Sequence, residues 1–230
     1  MRRGRHALYL IRDYPNALRV RVRAQLRAPD EWMHGDRRAV VLIPGVYETW
    51  HFLRTVGDAL NGRGHPVHVI RSLGYNVLPI PESATVVAEE LARRELQGVA
   101  IVAHSKGGLI GKQLMATDDP DHRVDRLVAI ASPFAGSGMA RLTPVPTLRA
   151  FLPTDEVIRR LAEARELNAR VTSIYPRFDP HIPEGSRVEG ATNIEVPVVG
   201  HFRVLDASET IEAVIDAVER EGQREDEREG

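Results

Sequence analysis

The stretch Val99-Ala100-Ile101-Val102-Ala103-His104-Ser105-Lys106-Gly107-Gly108-Leu109-Ile110 leaves a folding chain little choice. An apolar run ends at a polar serine, two glycines follow, and apolar residues return with helical spacing. This reads as a strand, a sharp turn and a helix, with Ser105 at the apex. That context gives a G-x-S-x-G-like pattern its mechanical meaning. Small residues are needed there because strand and helix close on each other around a strained backbone. Ala103 stands at the first small position, one methyl larger than glycine. Ser105 is therefore the candidate nucleophile.

The rest of the chain repeats the same alternation. Ala39-Val40-Val41-Leu42-Ile43 is a short apolar run of the kind that forms a strand buried on both faces. Pro44-Gly45 breaks it, and Trp50 to about Asn61 has helical spacing, closed by Gly62 and Gly64. Val67–Ile70 predicts a second strand, Arg71–Pro81 a long loop, and the residues from about Glu82 a helix with Val86, Val87 and Leu91 inside. After the serine turn, Gly108–Met115 predicts a helix, Arg126–Ala131 a strand and Asp155 to about Leu167 a helix. Val171–Tyr175 and Asn193–Val196 supply two further strands, and Ala207–Val218 a final helix. About six strands separated by helices make a mostly parallel sheet covered on both faces, a three-layer α/β/α sandwich. Residues 133–153 are irregular and read as a short lid-like insertion, which leaves one domain over 39–218.

Both ends of the chain read differently. Between residues 1 and 38, Leu18, Val20, Val22, Ala24 and Leu26 alternate with polar neighbours as in a strand. Ile11, Tyr14, Leu18, Val22 and Leu26 also fall on one helical face. The helix, packed on the domain's edge with its arginines solvated, is the reading adopted. Residues 219–230 are polar and charged and read as a frayed tail.

Composition narrows the function classes. The formal net charge of -1 gives no global field for nucleic acid or an anionic membrane. Without cysteine, disulfides and thiolate metal sites are excluded. The apolar run Ala7–Ile11 is shorter than the roughly 7–15 residues of a secretory core. No stretch approaches the roughly 20 apolar residues of a membrane span. The expectation is a cytoplasmic protein of open oligomeric state. No H-E-x-x-H or clustered metal-ligand pattern appears, so no metal or other cofactor is expected.

A serine hydroxyl needs a base, and the base needs an orienting acid. On a parallel sheet with a serine turn these follow in the order Ser, Asp or Glu, His. Asp179 lies in a loop just past the Val171–Tyr175 strand, and His201 in the loop between the Asn193–Val196 strand and the last helix. The triad is read as Ser105, Asp179 and His201. The rivals are weaker: His104 sits where its ring points away from the serine hydroxyl, His181 is too near Asp179 in sequence, and Asp206 starts the last helix. An oxyanion needs two backbone N–H donors. Lys106, after the nucleophile, supplies one, and Val46 in the loop after the first strand the other. The Lys106 side chain is read as a surface or ion-paired lysine.

These residues carry a resemblance. Leu42–Trp50, Ala103–Gly108, Ala131–Ser137, Thr172–Tyr175 with Asp179, and Val198–His201 together resemble the α/β-hydrolase superfamily, in particular small bacterial lipases and esterases with a reduced six-stranded sheet. The resemblance spans about residues 39–218. It implies ester hydrolysis through an acyl-enzyme with no cofactor, Ser105 as nucleophile, His201 as base, Asp179 as its orienter, and Val46 and Lys106 as oxyanion donors. The departures are Ala103 for glycine, and Pro44 where many relatives carry histidine before the oxyanion glycine.

The apolar residues of the insertion, among them Phe134, Met139, Leu142, Val145, Leu148, Phe151 and Leu152, either wall an acyl site or plug the space above the sheet. Tyr47, Leu142 and Val145 are the candidate substrate contacts, and Leu73–Pro79 is expected on the opposite side. The expected partner is a small-molecule or lipid ester. Thioester or amide hydrolysis, acyl transfer, and non-catalytic lipid binding are the alternatives on the same fold.

Overall fold

The computed structural model describes residues 29–220. Six strands form one sheet: β1 (Val40–Ile43), β2 (Val67–Val69), β3 (Val99–His104), β4 (Val124–Ile130), β5 (Val171–Phe178) and β6 (Thr192–Val199). Their order is β2-β1-β3-β4-β5-β6, and every neighbouring pair is parallel. Six α-helices accompany them: α1 (Arg54–Asn61), α2 (Ile80–Arg93), α3 (Lys106–Gln113), the short α4 (Pro146–Arg149), α5 (Glu156–Glu163) and α6 (Ser208–Glu219). The chain leaves β1 toward one edge and returns past it to β3, so the order reverses between β1 and β3. Such a switch point opens a crevice at the strands' carboxyl ends. The α/β/α expectation and the parallel sheet both hold.

The strands are apolar throughout because both sheet faces are covered. Side chains alternate across the sheet, so each strand serves two cores. Val41, Ile43, Ile101, Ala103, Leu127 and Ala129 join the core that takes Ala84, Val87 and Leu91 of α2, Leu109 and Ile110 of α3, and Ile158 and Leu161 of α5. Val40, Leu42, Ala100, Val102, Val128 and Ile130 join the other, with Val56 and Leu60 of α1 and Val214 and Val218 of α6. All four residues of β1 are fully buried. Each such aliphatic side chain stabilises the fold by roughly 1.5–3 kcal/mol over exposure.

Several boundaries differ from the expectation. The segment at Trp50 opens as a 3-10 turn (Trp50–Leu53) before α1. The loop after β2 holds a 3-10 turn (Arg71–Leu73), and α2 starts at Ile80 with Pro81 in its first turn, where a missing N–H costs nothing. The helix after the serine starts two residues early, at Lys106, and ends in a π-helical turn (Leu114–Asp118). The long helix read from Asp155 is α5 plus a 3-10 stretch (Arg165–Arg170).

The helix read over the N-terminal stretch lies outside the described residues as far as Ala28. Over 29–38 the structure has one 3-10 turn (Asp30–Met33), and its Trp32 is 1% exposed in the core against α1. Its indole N–H donates to Asp58 at 2.9 Å, and a Cβ on Gly57 would meet its ring at 2.3 Å. At the other end, Glu219 belongs to α6 and pairs with Arg37 at 2.6 Å, so it is not part of a frayed tail. Residues 221–230 lie outside the described residues. No described helix is long and apolar enough to cross a membrane.

Candidate active site

Ser105 sits between β3 and α3 with φ 50° and ψ -119°. A side chain at positive φ is strained and persists only where its surroundings enforce it. Here they do. The Ser105 N–H donates to Ile130 O at 2.9 Å, which extends the β3–β4 pairing into the turn. A Cβ on Gly107 would lie 2.3 Å from Ile43 O, and one on Gly108 would lie 2.1 Å from Ser132 Oγ. The two glycines are what let α3 start this close to β1 and β4.

Asp179 follows β5 directly and His201 follows β6 by two residues. Adjacent parallel strands thus deliver both to the rim that carries Ser105. His201 Nε2 lies 3.0 Å from Ser105 Oγ, and His201 Nδ1 lies 2.7 Å from Asp179 Oδ2. All three residues are buried. Asp179 Oδ1 accepts from the backbone N–H groups of His181 at 2.8 Å and Ile182 at 3.2 Å. Burial pushes the Asp179 carboxyl up, but the His201 charge and hydrogen bond, with the His181 N–H and charge, more than offset this and hold it below its ordinary value. The result is an acceptor fixed on His201 Nδ1 and a ring nitrogen facing a hydroxyl, the geometry that moves a proton off a serine.

The loop after β1 forms the facing wall. Glu48 N donates to Gly45 O at 3.3 Å, which closes a turn with Tyr47 at φ 60° and Val46 inside it. Lys106 is the first residue of α3, so no carbonyl one turn earlier can accept its N–H. Val46 lines the same cavity as Ser105, and Lys106 follows Ser105 at the start of α3.

A cavity of about 480 Å³ opens over Ser105 and His201. Val46, Tyr47 and Phe52 line it from the β1 side, and Met139, Leu148 and Phe151 from the insertion. The insertion therefore walls the cavity through Met139, Leu148 and Phe151 of the apolar residues named in the sequence, but not through the two picked there as substrate contacts. Tyr47 is in the lining; Leu142 is 77% exposed and Val145 half-buried, and neither lines the cavity. The reason is local: Gly138–Leu142 coils into a 3-10 turn that faces Met139 and Ala140 inward and Leu142 outward. Tyr75, Val77 and Leu78 border a separate shallow groove with Tyr47, not the cavity.

The rivals resolve on sight. His104 is fully buried, with Nδ1 at 2.8 Å from Glu48 Oε2 and Nε2 at 3.0 Å from His201 O. His181 lines the cavity with its ring centroid 4.8 Å from that of His201. Asp206 does not start the last helix: it ends a 3-10 turn and accepts from Thr55 at 2.8 Å, while Ala207 holds the N-cap position. The Lys106 side chain is neither surface-exposed nor ion-paired. It is 2% exposed, and its ammonium donates to Asn76 O at 2.8 Å, Asn76 Oδ1 at 3.1 Å and Leu78 O. Burial lowers its pKa to about 8, with only a weak opposing pull from Glu82.

Sequence reasoning missed Glu48, Phe52, Ile182 and Phe202 and named His181 only as a rival; all five line the cavity. Glu48 left one signal, a carboxylate three residues after the turn glycine in an otherwise apolar segment. Among the described residues, one group has metal-ligand spacing: Asp179, His181 and His201, with ligand atoms within 4.8 Å of one another. Its Asp179 oxygens and His201 Nδ1 already hydrogen-bond within the site.

No protein-family model matches the sequence, and no curated protein does. Solved structures do match. An extracellular alpha/beta-hydrolase from a Paenibacillus species aligns at TM-score 0.56 and 16% identity, over 80% of this chain and 100% of that one. Aspergillus fumigatus lipase B aligns at TM-score 0.65 and 21% identity, over 87% of this chain and 57% of that one. Bacillus licheniformis lipase BlEst2 in its mature form aligns at TM-score 0.61 and 12% identity, over 84% of this chain and 94% of that one. With the parallel six-stranded sheet and the serine turn on its third strand, these likenesses give the chain the α/β-hydrolase fold.

Proposed function

We propose that the protein is a serine hydrolase that cleaves carboxylic esters with an apolar acyl part through an acyl-enzyme. The observation that carries this is the hydrogen-bonded series Asp179, His201, Ser105 on the floor of a largely apolar cavity. In this reading His201 Nε2 takes the Ser105 proton as Oγ attacks the ester carbonyl. The oxyanion is held by the Val46 and Lys106 N–H groups. The tetrahedral intermediate collapses, the ester C–O bond breaks, and His201 returns the proton to the leaving alkoxide. Water, deprotonated by His201, then attacks the acyl-enzyme; the carboxylic acid leaves and Ser105 regains its proton. Asp179 keeps the imidazole in the productive tautomer and offsets its charge.

The likenesses to lipases agree with this reading at the level of fold, and the apolar walls of the cavity favour an acyl chain over a polar group. A nitrophenyl ester series of increasing acyl length, run beside matched thioesters and amides, tests it. The expected result is ester turnover that rises with chain length until the cavity is filled and is abolished by Ser105→Ala. Turnover of thioesters or amides only, or of no acyl substrate, contradicts it.

A further inference from the structure

Beside the site lies a second carboxylate–histidine pair that the proposed mechanism does not use, its Glu48 at the edge of the cavity. Glu48 is 3% exposed and His104 fully buried. The Glu48 carboxylate meets His104 Nδ1 at 2.8 and 2.9 Å and accepts from Gly45 N at 2.9 Å. His104 Nε2 lies 3.0 Å from the carbonyl oxygen of His201. A Cβ on Gly45 would lie 2.4 Å from Glu48 Oε1, so the carboxylate is seated against that backbone. The bonds of the pair thus lead to two places: the turn that carries Val46, and the backbone of His201.

Donor counting fixes the protons. A carbonyl only accepts, so His104 Nε2 carries hydrogen. One further proton sits between Nδ1 and the carboxylate, on either partner, and the Gly45 N–H fills another carboxylate lone pair. The pair is satisfied on every side, yet an apolar pair of similar volume would cost no desolvation there. What an apolar pair would lack is the link between the two loops.

Resting on the reading of Ser105 and His201 given above, we propose that Glu48 and His104 are positioning residues for the reaction. They tie the oxyanion turn to the backbone of the general base, so that the Val46 N–H and His201 Nε2 keep a fixed separation across Ser105. They hydrogen-bond to none of the reacting atoms; they act through Gly45 and His201. The device is geometric, so it does not depend on a negative charge at Glu48. A glutamine there keeps an acceptor for Gly45 N–H and a donor for a neutral His104 Nδ1, which leaves Nε2–H on His201 O.

Four variants test this in the full chain: E48A, H104F, their combination, and E48Q. The readouts are ester kcat and KM and the rate of fluorophosphonate labelling, each per folded molecule by circular dichroism. Misplacement of this kind can cost about 10- to 100-fold in rate. The expected result is that loss in kcat, with little change in KM, for E48A and H104F. The double variant should be no worse than the poorer single one, and E48Q should recover most of the rate. H104F keeps a ring, somewhat larger than imidazole, in the buried position and keeps the test available if E48A does not fold. Folded E48A or H104F with wild-type kcat, multiplying losses in the double variant, or no recovery in E48Q would each overturn the proposal. Failure of the underlying reading looks different: wild-type protein itself would then not label.

Discussion

Two carboxylate–histidine pairs lie almost ring against ring, His201 with Asp179 and His104 with Glu48, their imidazole centroids 4.7 Å apart. Both histidines are buried and both give Nδ1 to a carboxylate. They differ in what Nε2 faces. For His201 it is the Ser105 hydroxyl, whose proton can move; for His104 it is a backbone carbonyl, which can only accept. On the reading proposed here, the same two side chains make a proton shuttle in one place and a brace in the other, according to the partner at the far nitrogen.

A third ionisable neighbour sharpens the contrast. His104 and Lys106 flank Ser105 in sequence, and both are buried, but Lys106 has only neutral oxygens around its ammonium. Its pKa is lowered to about 8 by burial. Its cage fastens the 74–79 loop to the start of α3, while Asn76 Nδ2 in turn donates to Pro44 O at 2.7 Å, beside the Gly45–Glu48 turn.

The largest effect should come from exchanging the two carboxylates for amides. Asp179→Asn presents an NH₂ group to His201 Nδ1 and forces the wrong tautomer, and kcat should fall by about 10³- to 10⁴-fold. Glu48→Gln should cost less than about tenfold, since all its bonds can be remade. Steady-state kinetics with one short ester gives both values; equal losses would erase the distinction between shuttle and brace.

Next is Lys106→Met. It removes a buried cation but strands Asn76 O and leaves Leu78 O only the Ser83 hydroxyl at 3.3 Å, a cost of about 1–3 kcal/mol in urea unfolding at neutral pH. Unchanged stability would mean that the cage holds nothing. The pH dependence has a definite sign. The folded pKa of Lys106 lies below the unfolded value, so between about pH 8 and 10.5 the unfolded chain binds more protons. Stability of the wild type relative to Lys106→Met should therefore rise with pH across that window. A gap that shrinks there would place the lowered pKa elsewhere.

The smallest effects concern the cavity wall. Phe151→Ala should lower kcat/KM for long-chain esters by roughly tenfold, from lost apolar contact of about 1–3 kcal/mol. Leu142→Ser should leave it unchanged, because Leu142 faces away from the cavity. A loss with Leu142→Ser would show that the insertion closes further over bound substrate.

The difference between what the chain disclosed in advance and what it withheld follows the range of the forces involved. Apolar runs such as Val40–Ile43 are legible because a strand buried on both faces has no polar position. The serine turn is legible because Gly107 and Gly108 answer a backbone approach that no larger residue allows. Asp179 and His201 are legible because a parallel sheet returns every strand end to one rim. The environment of Lys106 is not legible, because it depends on a loop 28–30 residues earlier in the chain folding its carbonyls inward. Glu48 and His104 are 56 residues apart, and no local pattern announces that they meet. Leu142 and Val145 are apolar residues of an irregular segment, where no periodicity says which side faces in.

Ser105 carries the central claim. Intact-protein and peptide mass spectrometry after treatment with a fluorophosphonate should show one phosphonyl adduct per chain, on the peptide carrying Ser105. Adduct formation should be lost in Ser105→Ala and slowed strongly in His201→Ala. An adduct that persists in folded Ser105→Ala, or a wild-type protein that takes up none, would contradict it.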